Sequence, residues 1–197
     1  MLNYCSDRTR YLETILYIET DKGSGTGFLF NPAGYAITCA HVVNGASEIY
    51  ARVGTDEADI EKAEVVSKNE RLDLAIIKLE QDDPKFAATL DIGQTIQLGE
   101  EVAILGFPFG AKMSDDVSQM SVSFTRGYVS SWQTKDDKKR VLLDVAAKAG
   151  NSGSPVISLE SGKVVGVLSG SIRGGVNNME EVNYMIPMFY VEELFDE

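Results

Sequence analysis

Short runs of apolar residues recur along the whole chain, and turn-forming residues separate them. Most runs are rich in Val, Ile, Phe and Tyr and are bounded by Gly, Asn, Asp or Ser. This pattern is typical of many short β-strands rather than of helices. Helical patterns are confined to the ends, where residues 7–14 predict one or two turns and residues 187–195 predict a short closing helix. We therefore predict an all-β sandwich or barrel with short terminal helices.

The composition narrows the classes of protein and partner. The chain has 197 residues, a hydrophobic fraction of 44% and a formal net charge of −12. A chain of this length can bury a sizeable core. Nucleic acids and anionic membrane surfaces favour clustered Lys and Arg, so the acidic excess argues against both partners. No apolar run is long enough to span a bilayer, and the first residues lack a signal-peptide pattern, so we expect a cytoplasmic protein.

His41 is the only histidine of the chain. It follows an apolar run and the small residues Cys39 and Ala40, and a turn signal comes directly after it at Asn44 and Gly45. A lone histidine is more often a surface residue or a hydrogen-bonded core residue than a catalytic one. At the end of a strand beside a cleft, however, an imidazole can take and return a proton near neutral pH.

Ser152 lies in the sequence Gly-Asn-Ser-Gly-Ser-Pro of residues 150–155. The flanking glycines allow a tight turn, leave the hydroxyl unshielded and let peptide N–H groups point at one place. Ordinary surface turns have the same composition, which is the simpler interpretation of the first four residues alone. The apolar strand that follows, together with the histidine segment, favours a nucleophilic serine.

Asp73 stands at the beginning of an apolar run that covers residues 74–79. A carboxylate at the mouth of a buried strand needs a partner, because its desolvation otherwise costs on the order of several kcal/mol. The Nδ1–H group of a histidine would supply that partner, fix the tautomer of the ring and stabilise the imidazolium. A capping or turn aspartate is the alternative interpretation.

Taken together, these segments resemble the trypsin-like serine peptidases, and most of all their HtrA/Deg branch. The resemblance is carried, in chain order, by residues 38–41 (Thr-Cys-Ala-His), 73–76 (Asp-Leu-Ala-Ile) and 150–155. Weaker similarities lie at residues 23–28, 106–110, 125–130 and 183–187. The resemblance therefore covers nearly the whole chain, from about residue 13 to residue 195.

The resemblance implies a fold and a division of the chain. It implies a single protease domain over residues 1–197, built of two packed antiparallel six-stranded β-barrels with the active site between them. The first barrel would cover about residues 13–85, the second about residues 95–187, and a C-terminal helix residues 188–197. No peptide-binding PDZ domain is expected in this chain.

The resemblance also implies roles for individual residues. Ser152 would be the nucleophile, His41 the general base and then the general acid, and Asp73 the orienting carboxylate. The backbone N–H groups of Gly150 and Ser152, with help from Asn151, would form the oxyanion hole.

The substrate pocket would be formed by residues on both sides of the serine motif, namely Ala146, Ser169, Gly170 and Ser171. None of them carries a carboxylate that would recruit Arg or Lys, so we expect cleavage after small or medium apolar residues. Ser169 would in addition hydrogen-bond Asp73.

The predicted function is that of a serine endopeptidase that hydrolyses polypeptides through an acyl-enzyme. One alternative is an inactive protease fold that binds peptides or scaffolds a complex. Another is a latent protease that a regulatory protein partner or assembly into a homo-oligomer switches on. No metal or other cofactor is expected, because one histidine and two distant cysteines cannot build a zinc site without carboxylates, and no phosphate-binding Gly-Lys motif occurs.

Overall fold

Twelve β-strands build the part of the chain that the structure describes. The computed structural model describes residues 11–53, 60–80, 90–93, 95–110, 120–174 and 180–195. The first six strands are β1 (Ile15–Thr20), β2 (Gly23–Leu29), β3 (Tyr35–Thr38), β4 (Ile49–Val53), β5 (Glu61–Asn69) and β6 (Leu74–Leu79). The other six are β7 (Glu101–Gly106), β8 (Ser123–Lys135), β9 (Lys138–Asp144), β10 (Pro155–Ser158), β11 (Val164–Gly174) and β12 (Glu180–Pro187). The short helix α1 (Ala40–Val43) follows β3, and a 3₁₀ helix (Met188–Leu194) follows β12.

The strands form two closed antiparallel barrels. Their order is β1-β2-β3-β6-β5-β4 in the first barrel and β10-β11-β12-β9-β8-β7 in the second. Closure pairs every strand on both sides, so neither barrel leaves a free sheet edge. The predicted all-β class with two six-stranded barrels is therefore confirmed. The domain limits at residues 85 and 95 stay a prediction, since residues 81–89 and 94 lie outside the described residues, as do residues 7–10 of the predicted N-terminal turn.

Strands that are buried on both faces have consecutive buried residues, whereas strands with one face in water alternate between buried and exposed residues. The first four residues of β1, Ile15 to Ile18, are all buried, because one face of β1 lies inside the first barrel and the other packs towards β7 of the second. In β8, by contrast, Phe124 and Tyr128 are exposed while Gly127 and Val129 are buried. One face of β8 meets water, and its residues alternate accordingly.

The 3₁₀ helix packs against both barrels. Met188, Val191 and Leu194 are its buried residues, and it contacts β5 and β6 of the first barrel and β11 of the second. The predicted closing helix is thus confirmed as a 3₁₀ helix. Within the described ranges, no helix has the length and apolar character that a membrane crossing needs.

A β-bulge in β11 changes the direction of the strand residue Ser169. The register between β11 and β12 shifts between Leu168 and Gly170, so that Ser169 has no partner on β12. A bulge redirects the residue that it contains, and bulges are common next to active sites. The backbone carbonyl and the side chain of Ser169 are therefore available to residues outside the sheet.

Candidate active site

Helix α1 presents His41 at the end of β3. Its neighbours Ala40, Val42 and Val43 are buried, and this apolar contact holds the short helix in place. The remaining position of the helix is His41, whose side chain is 50% exposed. The backbone of His41 is therefore held in place by its buried neighbours, while its imidazole ring stays open to solvent.

Asp73 occupies a turn immediately before β6 and has an unusual backbone conformation. Its φ is 60°, in the left-handed region, which costs most residues about 1–3 kcal/mol but is better tolerated by Asp. The side chain of Asn69 accepts a hydrogen bond from Leu72 N–H at 2.9 Å. From the second barrel, Lys138 Nζ donates to the backbone carbonyl of Arg71. Contacts from both barrels thus hold the turn that directs the Asp73 carboxylate.

The structure brings His41 and Asp73 into direct contact. The Nδ1 atom of His41 lies 2.9 Å from each carboxylate oxygen of Asp73, and the backbone N–H of His41 donates to Oδ1 at 3.0 Å. The hydroxyl of Ser169 donates to Oδ2 at 2.5 Å. Because an ionised carboxylate can only accept, Nδ1 carries the ring proton and Nε2 is left with a free lone pair.

The same contacts keep Asp73 ionised. Burial raises the pKa of Asp73, whereas hydrogen bonds from His41 and Ser169 and the electrostatic attraction of His41 lower it, and the net pKa is below its ordinary value. The ionised carboxylate accepts the hydrogen on Nδ1, so the lone pair of the neutral ring lies on Nε2. The pair is therefore arranged to receive a proton at Nε2.

Ser152 lies in the turn between β9 and β10 and is partly buried. Its hydroxyl donates to the backbone carbonyl of Ser169 at 3.1 Å. Among the described residues, no hydrogen bond joins Ser152 Oγ to the ring of His41. The structure thus brings two of the three predicted catalytic side chains into contact, while the third is hydrogen-bonded to the residue that also contacts Asp73.

Backbone N–H groups beside Ser152 are available for a ligand. Gly150 has a φ of +94°, and in the described part of the chain neither its N–H nor that of Ser152 donates a hydrogen bond. The N–H of Asn151, in contrast, donates to Lys148 O at 3.0 Å, and the residue is buried. Of the three predicted oxyanion-hole residues, Gly150 and Ser152 therefore have free backbone donors and Asn151 does not.

Comparison with known proteins identifies the family to which the chain belongs. Residues 25–167 match the description "Trypsin-like peptidase domain", which is well over half of the chain. The chain belongs to the trypsin-like peptidase family. The resemblance inferred from the three sequence segments is thereby confirmed, and membership of a peptidase family implies a polypeptide substrate.

Several curated relatives of this trypsin-like domain are much longer. A "Probable periplasmic serine endoprotease DegP-like" of Hahella chejuensis is 35% identical over 154 residues, which is 75% of this chain and 30% of that protein. The "Serine protease Do-like HtrA" of Bacillus subtilis is 29% identical over 91% of this chain and 40% of its own length. The chain thus spans less than half the length of these relatives.

Solved structures agree on the fold of this trypsin-like domain. A serine endoprotease from Yersinia pestis matches 95% of this chain and 63% of its own with a TM-score of 0.75 at 21% identity. The Rv3671c protease of M. tuberculosis, in an inactive form, matches 95% of this chain and 90% of its own with a TM-score of 0.74 at 21% identity.

The predicted cytoplasmic location is wrong. DegP-like relatives from Hahella chejuensis, Pseudomonas savastanoi and Halomonas elongata are all named periplasmic. The prediction rested on the first residues of the chain, which carry no information about the compartment when the chain spans so little of its relatives.

The four residues of the predicted substrate pocket differ in their exposure to solvent. Ala146 is exposed, Ser169 is buried, and Gly170 and Ser171 are intermediate. The side chain of Asn183 donates to Val145 O at 2.7 Å, which holds the segment before the serine motif next to β12. The pocket and its preference for apolar residues stay a prediction.

Two residues near the site were not predicted from the sequence as site residues. The hydroxyl of Tyr184 lies 3.3 Å from Ser169 Oγ and donates to it, since the hydrogen of Ser169 goes to Asp73. The hydroxyl of Thr26 donates to Gly150 O at 2.8 Å. The sequence signal for Thr26 was its place between two glycines in β2. Tyr184 had no such signal, because its position near the site follows from its pairing with Gly170 on β11.

One group of side chains has a donor set that a metal ion could use. Potential ligand atoms of Cys39, His41 and Asp73 lie within 4.8 Å of one another. The Cys39 thiol is buried and donates to Leu168 O at 3.3 Å. Burial, followed by the nearby charge of Asp73, raises the pKa of this thiol well above its ordinary value. A metal needs the thiolate and would have to break the contact between His41 and Asp73, so these residues fit a proton-transfer pair better than a metal site.

Proposed function

We propose that this chain is the catalytic domain of a serine endopeptidase that hydrolyses polypeptides through an acyl-enzyme. The contact between His41 and Asp73, which Ser169 connects to the hydroxyl of Ser152, is the observation that carries the proposal. The free N–H groups of Gly150 and Ser152 support it, because acyl transfer needs donors directed at the oxygen on which charge develops.

The proposed reaction begins with a proton transfer from Ser152. Ser152 Oγ gives its proton to Nε2 of His41 and attacks the carbonyl carbon of the scissile peptide bond. The carbonyl oxygen becomes negative and accepts hydrogen bonds from the N–H groups of Gly150 and Ser152. Asp73 stabilises the imidazolium through Nδ1 but does not itself take the proton.

Collapse of the tetrahedral intermediate completes the acylation half of the cycle. The imidazolium of His41 gives its proton to the nitrogen of the leaving amine, and the C–N bond breaks. A water molecule then gives a proton to Nε2, attacks the acyl carbon, and Ser152 leaves with the proton returned by His41. Removal of one oxyanion donor typically lowers turnover by about 10²–10³, so the positions of these N–H groups contribute substantially to the rate.

Entry into this cycle requires the hydroxyl of the nucleophile to change its hydrogen-bond partner. The hydroxyl of Ser152 has to leave the carbonyl of Ser169 and turn towards Nε2 of His41. A single hydrogen bond between neutral groups contributes about 0.5–1.5 kcal/mol, and the new bond to the imidazole replaces it. In this proposal, the observed orientation is a resting state from which substrate binding recruits the serine.

The proposed substrates are extended or unfolded polypeptides, cut after small or medium apolar residues. Ala146, Ser169, Gly170 and Ser171 support this specificity because all four have small side chains and none is acidic. We add the hydroxyl of Tyr184, which lies next to Ser169, as a polar group near the proposed pocket. The names of the relatives favour a compartment outside the cytoplasm.

A latent enzyme is the second candidate function. The hydrogen bond from Ser152 to Ser169 instead of His41 is the observation that favours it. In that case a regulatory protein partner, or association of several copies, would turn the serine towards the imidazole. Activity per molecule that rises steeply with protein concentration would support activation by self-association.

Digestion of an unfolded polypeptide, followed by mass spectrometry of the products, tests both the activity and the specificity. We expect cleavage after small or medium apolar residues, and a loss of about 10⁴–10⁶ in rate for Ser152→Ala and for His41→Ala. Ser131→Ala, which alters a serine on β8 outside the site, is the matched control and should cleave like the wild type. Equal activity of Ser152→Ala and the wild type would contradict the proposal.

A further inference from the structure

Four consecutive carbonyl groups next to the proposed nucleophile are all hydrogen-bonded. Ala149 O accepts from Phe109 N–H at 2.5 Å, and Asn151 O accepts from Ser154 N–H at 3.0 Å. These two contacts come from the second barrel. Gly150 O and Ser152 O are the other two carbonyls, and both are bound by Thr26 of the first barrel.

Thr26 binds these two carbonyls with different groups. Its hydroxyl donates to Gly150 O at 2.8 Å, and its backbone N–H donates to Ser152 O at 2.8 Å. The hydroxyl oxygen also accepts a hydrogen bond from Phe107 N–H at 3.1 Å. The single hydroxyl hydrogen therefore points at Gly150 and a lone pair points at Phe107. Thr26 is fully buried, so its own side of both contacts is shielded from bulk water.

The position of Thr26 depends on the glycines beside it. A Cβ atom on Gly25 would lie 2.7 Å from Val42 and 3.1 Å from the carbonyl oxygen of Ser152. A Cβ atom on Gly27 would lie 2.8 Å from Ile18 and 3.1 Å from a backbone oxygen. The glycine at position 25 thus lets β2 come close to the serine turn, whereas the glycine at position 27 avoids a clash with β1 and β3 inside the first barrel.

Anchored carbonyls fix the direction of the neighbouring N–H groups. In a trans peptide unit the C=O and the N–H point in opposite directions. The contacts at Ala149 O and Asn151 O therefore direct the N–H group of Gly150 away from Phe109 and that of Ser152 away from Ser154. Between these two peptide units lies the one that contains Gly150 O. The N–H of Asn151 belongs to the same unit and donates to Lys148 O at 3.0 Å. Without the Thr26 hydroxyl the unit would be held at this end only, and its carbonyl end could tilt and carry the N–H groups of Gly150 and Ser152 out of alignment.

We propose that Thr26 is a positioning residue that sets the orientation of the oxyanion-binding N–H groups from the opposite barrel. The inference rests on the proposed serine endopeptidase function. It goes beyond that function because the turnover number of the enzyme, whose nucleophile lies in the second barrel, would depend on one hydroxyl group in β2 of the first barrel. The competing interpretation is that Thr26 only contributes to the contact between the barrels.

Variants at Thr26 separate the two interpretations. Thr26→Val and Thr26→Ala remove the hydroxyl, and Thr26→Ser retains it. Thr14→Val is the matched control, because Thr14 is also fully buried and its hydroxyl also donates to a backbone carbonyl, Tyr11 O at 2.7 Å. Each protein is measured for kcat and KM on one peptide substrate, for its melting temperature, and for its affinity for a peptide aldehyde.

We expect Thr26→Val and Thr26→Ala to lower kcat about 10- to 100-fold while KM changes less than about threefold, because the N–H groups act mainly in the transition state. Their affinity for the aldehyde, which forms a tetrahedral adduct, should fall in parallel. Thr26→Ser should keep kcat within about threefold of the wild type. Thr14→Val should lose stability with no comparable loss of kcat.

Each outcome decides the question. If the wild type does not cleave, the proposed function fails. If the wild type cleaves and Thr26→Val and Thr26→Ala retain kcat as well as Thr14→Val does, the positioning role is overturned while the function stands. Should Thr26→Val not fold, the comparison of Thr26→Ala with Thr26→Ser decides. If neither Val nor Ala at this position folds, Thr26 is a structural contact and the inference is overturned.

Discussion

A methyl group at Gly150 should disable the proposed active site without unfolding the protein. Gly150 has a φ of +94°, and a Cβ atom built on it would lie 2.3 Å from Phe107 O, 3.0 Å from Phe109 N and 3.1 Å from Gly110 N. The first distance is about 1 Å shorter than an ordinary van der Waals contact. All three neighbours are backbone atoms, so Gly150→Ala must displace either the serine turn or the loop that contacts it.

The magnitude follows from two separate effects. An alanine in the left-handed region costs about 1–2 kcal/mol of stability. The displacement by about 1 Å acts on the N–H group of Gly150, and a misplacement of that size can lower catalysis about 10²-fold. We therefore expect a moderate fall in melting temperature and a loss of about 10² or more in kcat.

Gly99→Ala is the control that separates these effects. Gly99 also has a left-handed φ, +78°, but a Cβ atom there would meet nothing within 4 Å. The two variants share the backbone cost, and only Gly150→Ala adds the steric conflict. The assay compares kcat on a peptide substrate with the melting temperature for both variants. A folded Gly150→Ala protein with kcat within threefold of the wild type would refute the assignment of its N–H group.

Two further predictions concern Asp73. Its pKa is lowered in the folded state, so the ionised carboxylate stabilises the fold above its unfolded pKa of about 3.9, and this contribution is lost as the pH falls through the lower folded pKa. In denaturant titrations, the excess unfolding free energy of the wild type over Asp73→Asn should be present at pH 7 and shrink below about pH 4; a difference that grows in acid would contradict the sign. Ser169→Ala removes the hydroxyl that donates to Asp73 Oδ2 but keeps the carbonyl that binds Ser152, so the pKa of Asp73 should rise and kcat should fall about tenfold. A pH–rate profile and kcat identical to those of the wild type would show that this hydroxyl is dispensable.

Much of the candidate site could be predicted from the sequence because its chemistry is local. The small residues around His41, the glycines around Ser152 and the apolar run after Asp73 each lie within a few positions of the residue concerned. The two-barrel fold followed from the family resemblance, whereas the short apolar runs alone predicted only an all-β sandwich or barrel.

The geometry that joins these segments could not be predicted in the same way. The left-handed backbone of Asp73 depends on contacts from Asn69 and, across the barrels, from Lys138. The bulge at Ser169 depends on the pairing of β11 with β12. These are tertiary contacts between distant parts of the chain, and a local sequence pattern does not report them.

The orientation of the nucleophile is another property that depends on long-range contacts. The sequence favoured Ser152 as the partner of His41, but the hydroxyl is bound to the carbonyl of Ser169 in the structure. A serine side chain has three staggered rotamers of similar energy, and one hydrogen bond is enough to select among them. No residue type in the motif determines that choice.

Reaction of the purified chain with a fluorophosphonate tests most directly whether His41 and Ser152 act together as a base and a nucleophile. We predict a single adduct by intact mass, located at Ser152 by peptide mapping, lost in Ser152→Ala and formed far more slowly in His41→Ala. Labelling of another residue, or labelling of Ser152 at the same rate in His41→Ala, would contradict the account.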